Sequence, residues 1–227
     1  MNKKILLIIL AIVVIAGAVY FYMTRPTKAP SEDIQANAVM LNAENDSNQV
    51  VFRIVPAESS AEFNINEVLN GQPKTVVGTT NQVAGDMAIN FEDPNQSQVG
   101  EIRINARTLK TDDERRNSAI SRFILRSEKD ENEFITFRPT SVESMPRSVS
   151  VGDSFGLRIT GDLTVSGVTR ETVFNAAVSI VSEDKVTANA ETVVMYKDFG
   201  LSIPQVPFVA NVGDEVTLKI NVVAKRI

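Results

Sequence analysis

The sequence of 227 residues contains no cysteine and no histidine. Without cysteine no disulfide can form, and without either residue thiolate and imidazole metal sites and Cys- or His-ligated haem are excluded. The same absences exclude cysteine proteases and serine hydrolases that use a histidine base. Catalysis would have to rest on paired carboxylates, and nearly all Asp and Glu fall at predicted outward positions. We therefore expect a protein that is not an enzyme and has no metal site or cofactor.

An excess of basic residues is also missing. The chain has 23 Lys and Arg against 28 Asp and Glu, a formal net charge of -5. The first 48 residues balance to zero, so the whole net charge belongs to the remainder. Proteins that bind nucleic acid need a basic patch to neutralise phosphates. An acidic domain without a basic stripe is therefore expected not to bind nucleic acid.

The N-terminus holds an uncharged apolar run. Lys3 and Lys4 precede the run from Ile5 to Met23, which as a helix would span about 28 Å, close to the thickness of bilayer hydrocarbon. The aromatic residues 20–22 would then lie at the far interface. This pattern predicts a transmembrane signal anchor over residues 1–23, with the following domain across the cytoplasmic membrane.

A cleaved signal peptide is the alternative. Ala16-Gly17-Ala18 resembles a cleavage site and follows an apolar core of suitable length. Cleavage there would start a secreted or periplasmic chain at Val19. The apolar run continues past the site, which favours the uncleaved anchor, and the absence of a lipobox cysteine excludes a bacterial lipoprotein.

Residues 24–48 are polar and contain two prolines with little periodicity. This composition predicts a flexible linker that holds the domain off the membrane surface. The domain itself would then occupy residues 49–227.

Period-two alternation of apolar and polar residues repeats along that domain. In the last such run Val216, Leu218 and Ile220 alternate with Thr217 and Lys219. The alternation predicts eight or nine antiparallel strands, each with one dry face. Because no predicted helix is long enough to cover those faces, they must meet in a sandwich or a closed barrel. We expect an all-β fold, an antiparallel eight-stranded barrel with one short helix.

The short helix is predicted after Thr111, which stands three residues before Glu114 in the spacing of a capping box. An apolar stripe follows, and several arginines decorate the same segment: Ala119, Ile120, Phe123 and Ile124 in the stripe, and Arg115, Arg116, Arg122 and Arg126 around it. The segment is either a solvated helix on the barrel or a lid whose arginines face an anionic head group.

Several predicted inward positions carry small residues: Gly100, Ala106, Gly161, Ala188 and Ala190. A filled core would favour larger side chains there, whereas an eight-stranded barrel can also hold one small ligand. The small residues favour a cavity, unless large residues opposite compensate for them.

The stretch from Gly161 to Phe174 predicts a hairpin with a two-residue turn at Ser166-Gly167. Counting outward from the turn pairs Leu163 with Arg170, so an arginine falls on the apolar face close to the turn. Arg170 would either bind a head group at the mouth of the barrel or extend into solvent.

Five segments in this order resemble the YceI-like, polyisoprenoid-binding family over nearly all of residues 50–226: FRIVPAESSAEFNI, TVVGTTNQVAGDM, INARTLKTDDERR, GDLTVSGVTRETVF and YKDFGLSIP. The resemblance implies a lipocalin-like antiparallel barrel, exported from bacterial cells, with an apolar tunnel that holds an isoprenoid chain. The positions that match family motifs are Gly78, Gly85, Arg116, Leu163-Thr164, Gly167 to Arg170, and Asp198-Phe199-Gly200.

The sequence also departs from the family pattern. Glu58 and Asn66 stand where many members carry histidine, and Glu133 lies near a place where proline is common. These departures leave the identity of the ligand open.

The resemblance and the alternation together predict a carrier for an amphiphilic lipid, tethered to the bacterial cytoplasmic membrane on its extracytoplasmic side. The alternative is a structural or partner-binding module of the envelope, with a filled barrel and no ligand. Arg116 and Arg170 are the candidates for binding the head group. The residues predicted to contact the lipid are Phe63, Ile65, Ile89, Phe91, Ile102, Ile104, Phe123, Phe137, Leu163, Phe174, Ala188, Ala190 and Phe199.

Overall fold

The structure, a computed structural model, describes residues 3–30, 33–41, 48–205 and 209–227. Within these described residues, two α-helices and thirteen strands are the main regular elements, joined by short helical turns. The elements are α1 (Lys3–Thr24), β1 (Gln49–Ile54), β2 (Ser60–Leu69), β3 (Gln72–Thr80), β4 (Val83–Ala84), β5 (Asp86–Asn90), β6 (Gln98–Val99), β7 (Ile102–Asn105), α2 (Glu114–Ala119), β8 (Phe134–Glu143), β9 (Ser154–Val165), β10 (Val168–Ser182), β11 (Lys185–Met195), β12 (Val209–Ala210) and β13 (Glu215–Arg226).

The strands form one antiparallel sheet, in the order β4-β7-β8-β9-β10-β11-β13-β1-β5-β6, with β2, β3 and β12 branching from it. The branch lies at β13, because one edge of that strand pairs with β11 along its length. Its other edge pairs first with β2, from Val216 to Asn221, and then with β1, from Ala224 to Arg226.

The sheet curls into a barrel that stays open at one seam. Among the described residues, β3 meets the chain beyond β7 through the single bridge between Thr79 and Lys110, whose backbone groups exchange hydrogen bonds of 2.8 and 2.9 Å. The all-β antiparallel prediction is therefore confirmed, whereas the closed eight-stranded barrel is wrong in both strand number and closure.

Gly85 explains part of the difference in strand number. Its φ of 156° separates β4 from β5, and the two strands pair with different neighbours, β7 and β1. A Cβ at this position would lie 2.8 Å from the carbonyl oxygen of Glu101, so only glycine fits the close approach. Alternation along the sequence cannot reveal such a change of partner.

The predicted β9–β10 hairpin forms in the expected register. Leu163 pairs with Arg170, and the turn residues Ser166 and Gly167 have φ values of 50° and 79°. Positive φ at both turn positions is typical of the type I′ turns that suit two-residue hairpins.

The predicted helix also forms, but Asp113 rather than Thr111 caps it. The carboxylate of Asp113 accepts hydrogen bonds from the backbone N–H groups of Arg115, at 2.8 Å, and Arg116, at 3.2 Å. Thr111 donates instead to the side chain of Asn117. A π turn from Ile120 to Ile124 continues α2, and residues 114–124 are called the lid segment below.

The segment expected to be a flexible linker packs along the domain where it is described. Ile34 is fully buried, Gln35 donates to the Ile54 carbonyl at 2.7 Å, and the backbone N–H of Leu41 donates to Asp86 at 3.2 Å. Buried apolar surface and these hydrogen bonds hold the chain in place. Residues 31, 32 and 42–47 of the expected linker lie outside the described residues.

α1 is the one helix among the described residues whose length and composition would allow it to cross a membrane, and a signal sequence passes the same test. Its described side chains are exposed, including Ile8 at 60%.

Two apolar clusters occupy the two ends of the barrel. The base cluster contains Phe52, Ile54, Ala61, Val83, Ile102, Val149, Ile180, Val186, Val222 and Ala224. The lid cluster contains Ala106, Leu109, Ile120, Leu125, Leu163, Val165 and Phe199. Phe137 packs against both clusters.

Candidate functional site

A cavity of about 810 Å³ runs between the two clusters. Inward side chains of the long strands form its wall, because alternate residues of a strand face the same side of the sheet. The lid segment covers one end with Ala119, Ile120 and Ile124, and Val149 contributes to the other end. The lining is mostly apolar. Most of its charged side chains lie at the lid end, and Glu62 and Lys219 are a register pair within the β2–β13 ladder.

Most of the predicted lipid-contacting residues line this cavity. They are Phe63, Ile65, Ile89, Ile102, Ile104, Phe137, Leu163, Phe174, Ala188, Ala190 and Phe199. Ten of them belong to the dry faces of strands, where alternation places them, and Phe199, which belongs to a matched family motif, ends the 3₁₀ turn Tyr196–Phe199.

Phe91 and Phe123 lie outside the lining. Phe91 follows the end of β5 and packs its ring against Phe52, with 6.3 Å between the ring centroids. Phe123 is 42% exposed and its ring lies 6.4 Å from that of Tyr22. The π turn places an extra residue in this part of the helix, so regular helical spacing assigns Phe123 to the wrong face.

Of the five small residues predicted to face inward, Gly100 and Ala106 are not part of the cavity lining, and the other three divide into two groups. At Gly161 the ring of Phe137 occupies the space, since a Cβ there would lie 2.7 Å from the ring. Ala188 and Ala190 line the cavity, and Ala190 pairs in register with Ala176, another lining alanine. A large neighbour therefore compensates for the small residue at Gly161, whereas Ala188 and Ala190 border open space.

The charged groups at the lid end form a network between the β2–β3 hairpin and the lid segment. Arg116 donates to Glu67 at 3.0 Å and to Asp112 at 2.5 Å, and Lys74 donates to Asp112 at 2.7 Å. The side chains of Arg116 and Glu67 are only 18% and 8% exposed. We call this part of the cavity, which is also lined by Asp113 and Arg115, the mouth.

The mouth carries equal numbers of cations and carboxylates: Lys74, Arg115 and Arg116 against Glu67, Asp112 and Asp113. The ammonium of Lys74, helped by Arg116, lowers the pKa of Asp112 below its ordinary value. The Arg115 side chain and the backbone N–H of Arg116 lower the pKa of Asp113 to about 2. Asp112 and Asp113 are therefore ionised at neutral pH, and the arginines are balanced before any ligand arrives.

Arg170, the other head-group candidate, lies outside the cavity lining. It occupies the predicted register position, but its side chain is exposed and Nη1 donates to the carbonyl of its neighbour Thr169 at 2.9 Å. Leu163 and Val165 belong to the lid cluster, which fills the barrel end on that side. Of the two alternatives predicted for Arg170, a head-group contact or extension into solvent, the structure shows the second.

Sequence reasoning missed Glu67 as a mouth residue. The alternation that places Phe63 and Ile65 on the dry face of β2 leads, two residues further along, to Glu67. Its burial next to Arg116 depends on the lid segment, which is distant in sequence and gives no local signal.

Comparison with known proteins agrees with this architecture. The YceI-like domain family matches residues 52–224, more than half of the chain. The chain belongs to the YceI-like family. No curated protein sequence matches it.

Several solved structures share the fold. BcnA of Burkholderia cenocepacia superposes with a TM-score of 0.58 at 15% identity, over 76% of this chain and 99% of that chain. A polyisoprenoid-binding domain from Saccharophagus degradans, implicated in plant cell wall breakdown, has a TM-score of 0.56 at 10% identity, over 79% and 99% of the two chains. A mutant YceI protein of Campylobacter jejuni with a monobromobimane guest has a TM-score of 0.52 at 16% identity, over 65% and 83%.

Proposed function

We propose that this YceI-like protein is a carrier for a long amphiphilic lipid, held in the cavity at the extracytoplasmic face of the bacterial cytoplasmic membrane. The observation that carries the proposal is the cavity of about 810 Å³, whose lining is mostly apolar along the barrel and has most of its charged side chains at the lid end. This volume lies within the range of small-molecule sites, which are also mostly apolar with a few polar groups.

A polyisoprenoid is the ligand class that suits this shape. Burial stabilises each CH₂ group by about 0.8 kcal/mol, so one five-carbon unit contributes a few kcal/mol before the cost of ordering the chain. The Saccharophagus degradans domain with the same fold is described as polyisoprenoid-binding, which supports the same class here.

The head group would lie at the mouth beside Arg116 and Glu67. Because Arg116 is already paired with Glu67 and Asp112, an anionic head would have to displace a carboxylate or bring an uncompensated negative charge. An uncharged polar head can instead accept from Arg116 or donate to Glu67. We therefore favour a neutral head over the prenyl phosphate expected for an unpaired arginine.

The membrane location rests on α1. Its exposed apolar side chains form a contiguous surface of a kind that soluble monomers rarely leave in water. A bilayer would cover this surface, and the helix is long enough to span it. The uncleaved anchor remains our preferred reading.

A filled-barrel module without a ligand is the weaker candidate, because the cavity leaves space that a filled barrel would not have. An enzyme is weaker still. Glu67, a buried carboxylate in the cavity lining, is paired with Arg116. In the part of the chain that the structure describes, no group of three or more acidic side chains could hold a metal ion.

The test is lipid extraction from the full chain, purified from bacterial membranes, followed by mass spectrometry. Ala190→Phe should abolish copurification of a long-chain lipid, because the ring fills the space beside Ala176. Asn189→Phe adds the same ring at an exposed neighbouring position and should keep the lipid. Retention of lipid by Ala190→Phe, or its absence from the unmodified protein, would contradict the proposal.

A further inference from the structure

We propose that the outer side of the lid segment is fixed against the membrane end of α1, so that the mouth faces the bilayer and lipid passes directly between bilayer and cavity. This inference rests on the proposed anchor and carrier functions and adds the orientation of the domain. The partner surface is the lipid bilayer that α1 would span.

The first observation is that the lid segment caps α1. The side chain of Arg122 is 1% exposed and donates to the backbone carbonyls of Tyr22, at 2.8 Å, and Arg25. Carbonyls in the last turn of a helix lack partners within the helix, and a cation there also interacts favourably with the helix dipole. The lid segment thereby satisfies groups at the end of the helix that would leave the membrane.

Aromatic and ionic contacts fix the same junction. The ring of Phe123 packs near that of Tyr22, and the Arg25 guanidinium lies 4.4 Å from the centroid of the Tyr22 ring. Arg25 also pairs with Glu128 at 2.7 Å, and Glu128 in turn accepts from Arg122 at 3.1 Å. A domain on a free tether would have no such contacts with its anchor.

The next stretch of chain continues into the interior of the domain. Lys28 pairs with Asp130 at 2.5 Å, and Asp130 also accepts from Arg107, whose side chain is fully buried. Arg107 is held further by Glu133 at 2.6 Å. The anchor is thus connected by ion pairs to groups that cannot move without disturbing the domain core.

The geometry places the mouth close to the bilayer. The lid segment has its inner side chains, Ile120 and Ile124, on the cavity and its outer ones, Arg122 and Phe123, on the anchor. Its length from Glu114 to Ile124 corresponds to about 16 Å, so the mouth at its first turn lies within that distance of the junction. Tyr22 belongs to the aromatic group expected at head-group level, and the half-exposed Phe123 would lie there too.

The experiment uses the absence of cysteine, which makes single-cysteine labelling of the full chain clean. Arg115→Cys marks the mouth and Lys129→Cys marks the junction, with native side chains that are 93% and 62% exposed. Val151→Cys, exposed at 53% next to the base of the barrel, is the matched control. Each variant is labelled with a fluorophore and reconstituted into phosphatidylcholine vesicles that contain a lipid with a quenching head group.

The mouth and junction labels should be quenched several-fold more strongly than the control label. The twelve-residue strand β9 spans about 40 Å when fully extended, so the base label should lie beyond contact quenching. Equal quenching at the three sites would overturn the orientation, and so would failure of the protein to stay with the vesicles after a high-salt wash.

A second variant keeps the inference separate from the proposed carrier function. Replacing both Arg25 and Lys28 with alanine removes the two ion pairs of the anchor and leaves the cavity unchanged. The difference in quenching between Arg115→Cys and Val151→Cys should shrink, while lipid still copurifies. Suppose that no lipid copurifies, but that in the chain with Arg25 and Lys28 intact the label at Arg115→Cys is still quenched more than the label at Val151→Cys. The orientation then stands and the carrier proposal fails.

Discussion

The base cluster and the lid cluster close the same cavity with different kinds of chain. Apart from Val149, the base cluster draws its buried residues from strands, and Phe52, Val83 and Val186 are fully buried. The lid cluster instead depends on Leu109, Ile120, Leu125 and Phe199, which come from helical turns and loops.

The two ends therefore differ in what stabilises them. Residues of the base are held by backbone ladders between neighbouring strands, such as β11 with β13. The lid segment is held by side-chain packing, the Asp113 cap and ion pairs to Glu67 and Glu128. Such segments open at lower free energy than core strands, and the openings through which ligands pass are drawn from them. The difference suits a container whose lid end is less stable than its base.

The largest expected effect comes from matched deletions in the two clusters. Ile54→Ala, at a residue 1% exposed in the base, should lower the free energy of unfolding by about 2–5 kcal/mol. Ile120→Ala, at a residue 6% exposed in the lid, should cost clearly less global stability and mainly speed hydrogen exchange over residues 114–124. Urea unfolding measures the global stability, and hydrogen-exchange mass spectrometry measures the local opening. Equal losses of global stability in the two variants would contradict the proposed difference between the base and the lid.

A smaller effect is expected where glycine faces an aromatic ring. At Gly161 an added Cβ would lie 2.5 Å from the backbone carbonyl oxygen of Arg138, which cannot easily move. Gly161→Ala should therefore destabilise the barrel by about 1–3 kcal/mol. At Gly78 the three atoms nearest to an added Cβ all belong to the ring of Phe63, the first at 2.1 Å, and that ring borders the cavity.

Gly78→Ala should thus cost less stability than Gly161→Ala and reduce lipid uptake, because Phe63 would turn into the cavity. Thermal unfolding beside lipid content separates the two variants. If Gly78→Ala lost more stability than Gly161→Ala, the ring of Phe63 would be unable to move aside, and the wall there would be as rigid as at Gly161.

The smallest effect is a pH dependence of the lid. The Asp113 pKa of about 2 lies below the ordinary value near 3.9 for aspartate. The ionised cap therefore stabilises the lid fully above that ordinary value, and its contribution is lost as the pH falls toward 2. NMR titration of the Arg115 and Arg116 amides, which donate to Asp113, should show the loss.

Asp113→Asn is the control, because asparagine caps helices without titrating in this range. Its amide signals should stay unchanged where those of the parent shift. Parallel shifts in both proteins would assign the change to other carboxylates such as Asp112.

Much of the fold could be predicted from the sequence. Period-two alternation located the long strands, most of the predicted lipid-contacting residues line the cavity, and the turn at Ser166-Gly167 fixed the hairpin register. Alternation succeeded because the side chains of a strand point to opposite faces whatever its neighbours are. It gave too few strands because short segments such as β4 and β6 are defined by their partners.

The candidate site was predictable only in its apolar part. For the head group, sequence reasoning proposed Arg116 and Arg170 equally, and the structure separates them. Arg116 lies at the mouth in an ion pair with Glu67, and Arg170 points to solvent. Whether an arginine is free or neutralised depends on which carboxylate the fold brings within about 4 Å, and Glu67 and Arg116 are 49 residues apart.

The sequence by itself determined the antiparallel β architecture, the dry face of each long strand, the apolar N-terminal helix and the absence of Cys and His chemistry. These features follow from local spacing and composition, which act over a few residues. Only the tertiary structure decided the open seam between β3 and β7, the docking of residues 25–30 and 33–41 along the domain, and the charge balance of the mouth. These depend on contacts between residues far apart in the chain, where packing and electrostatics act through space rather than through sequence spacing.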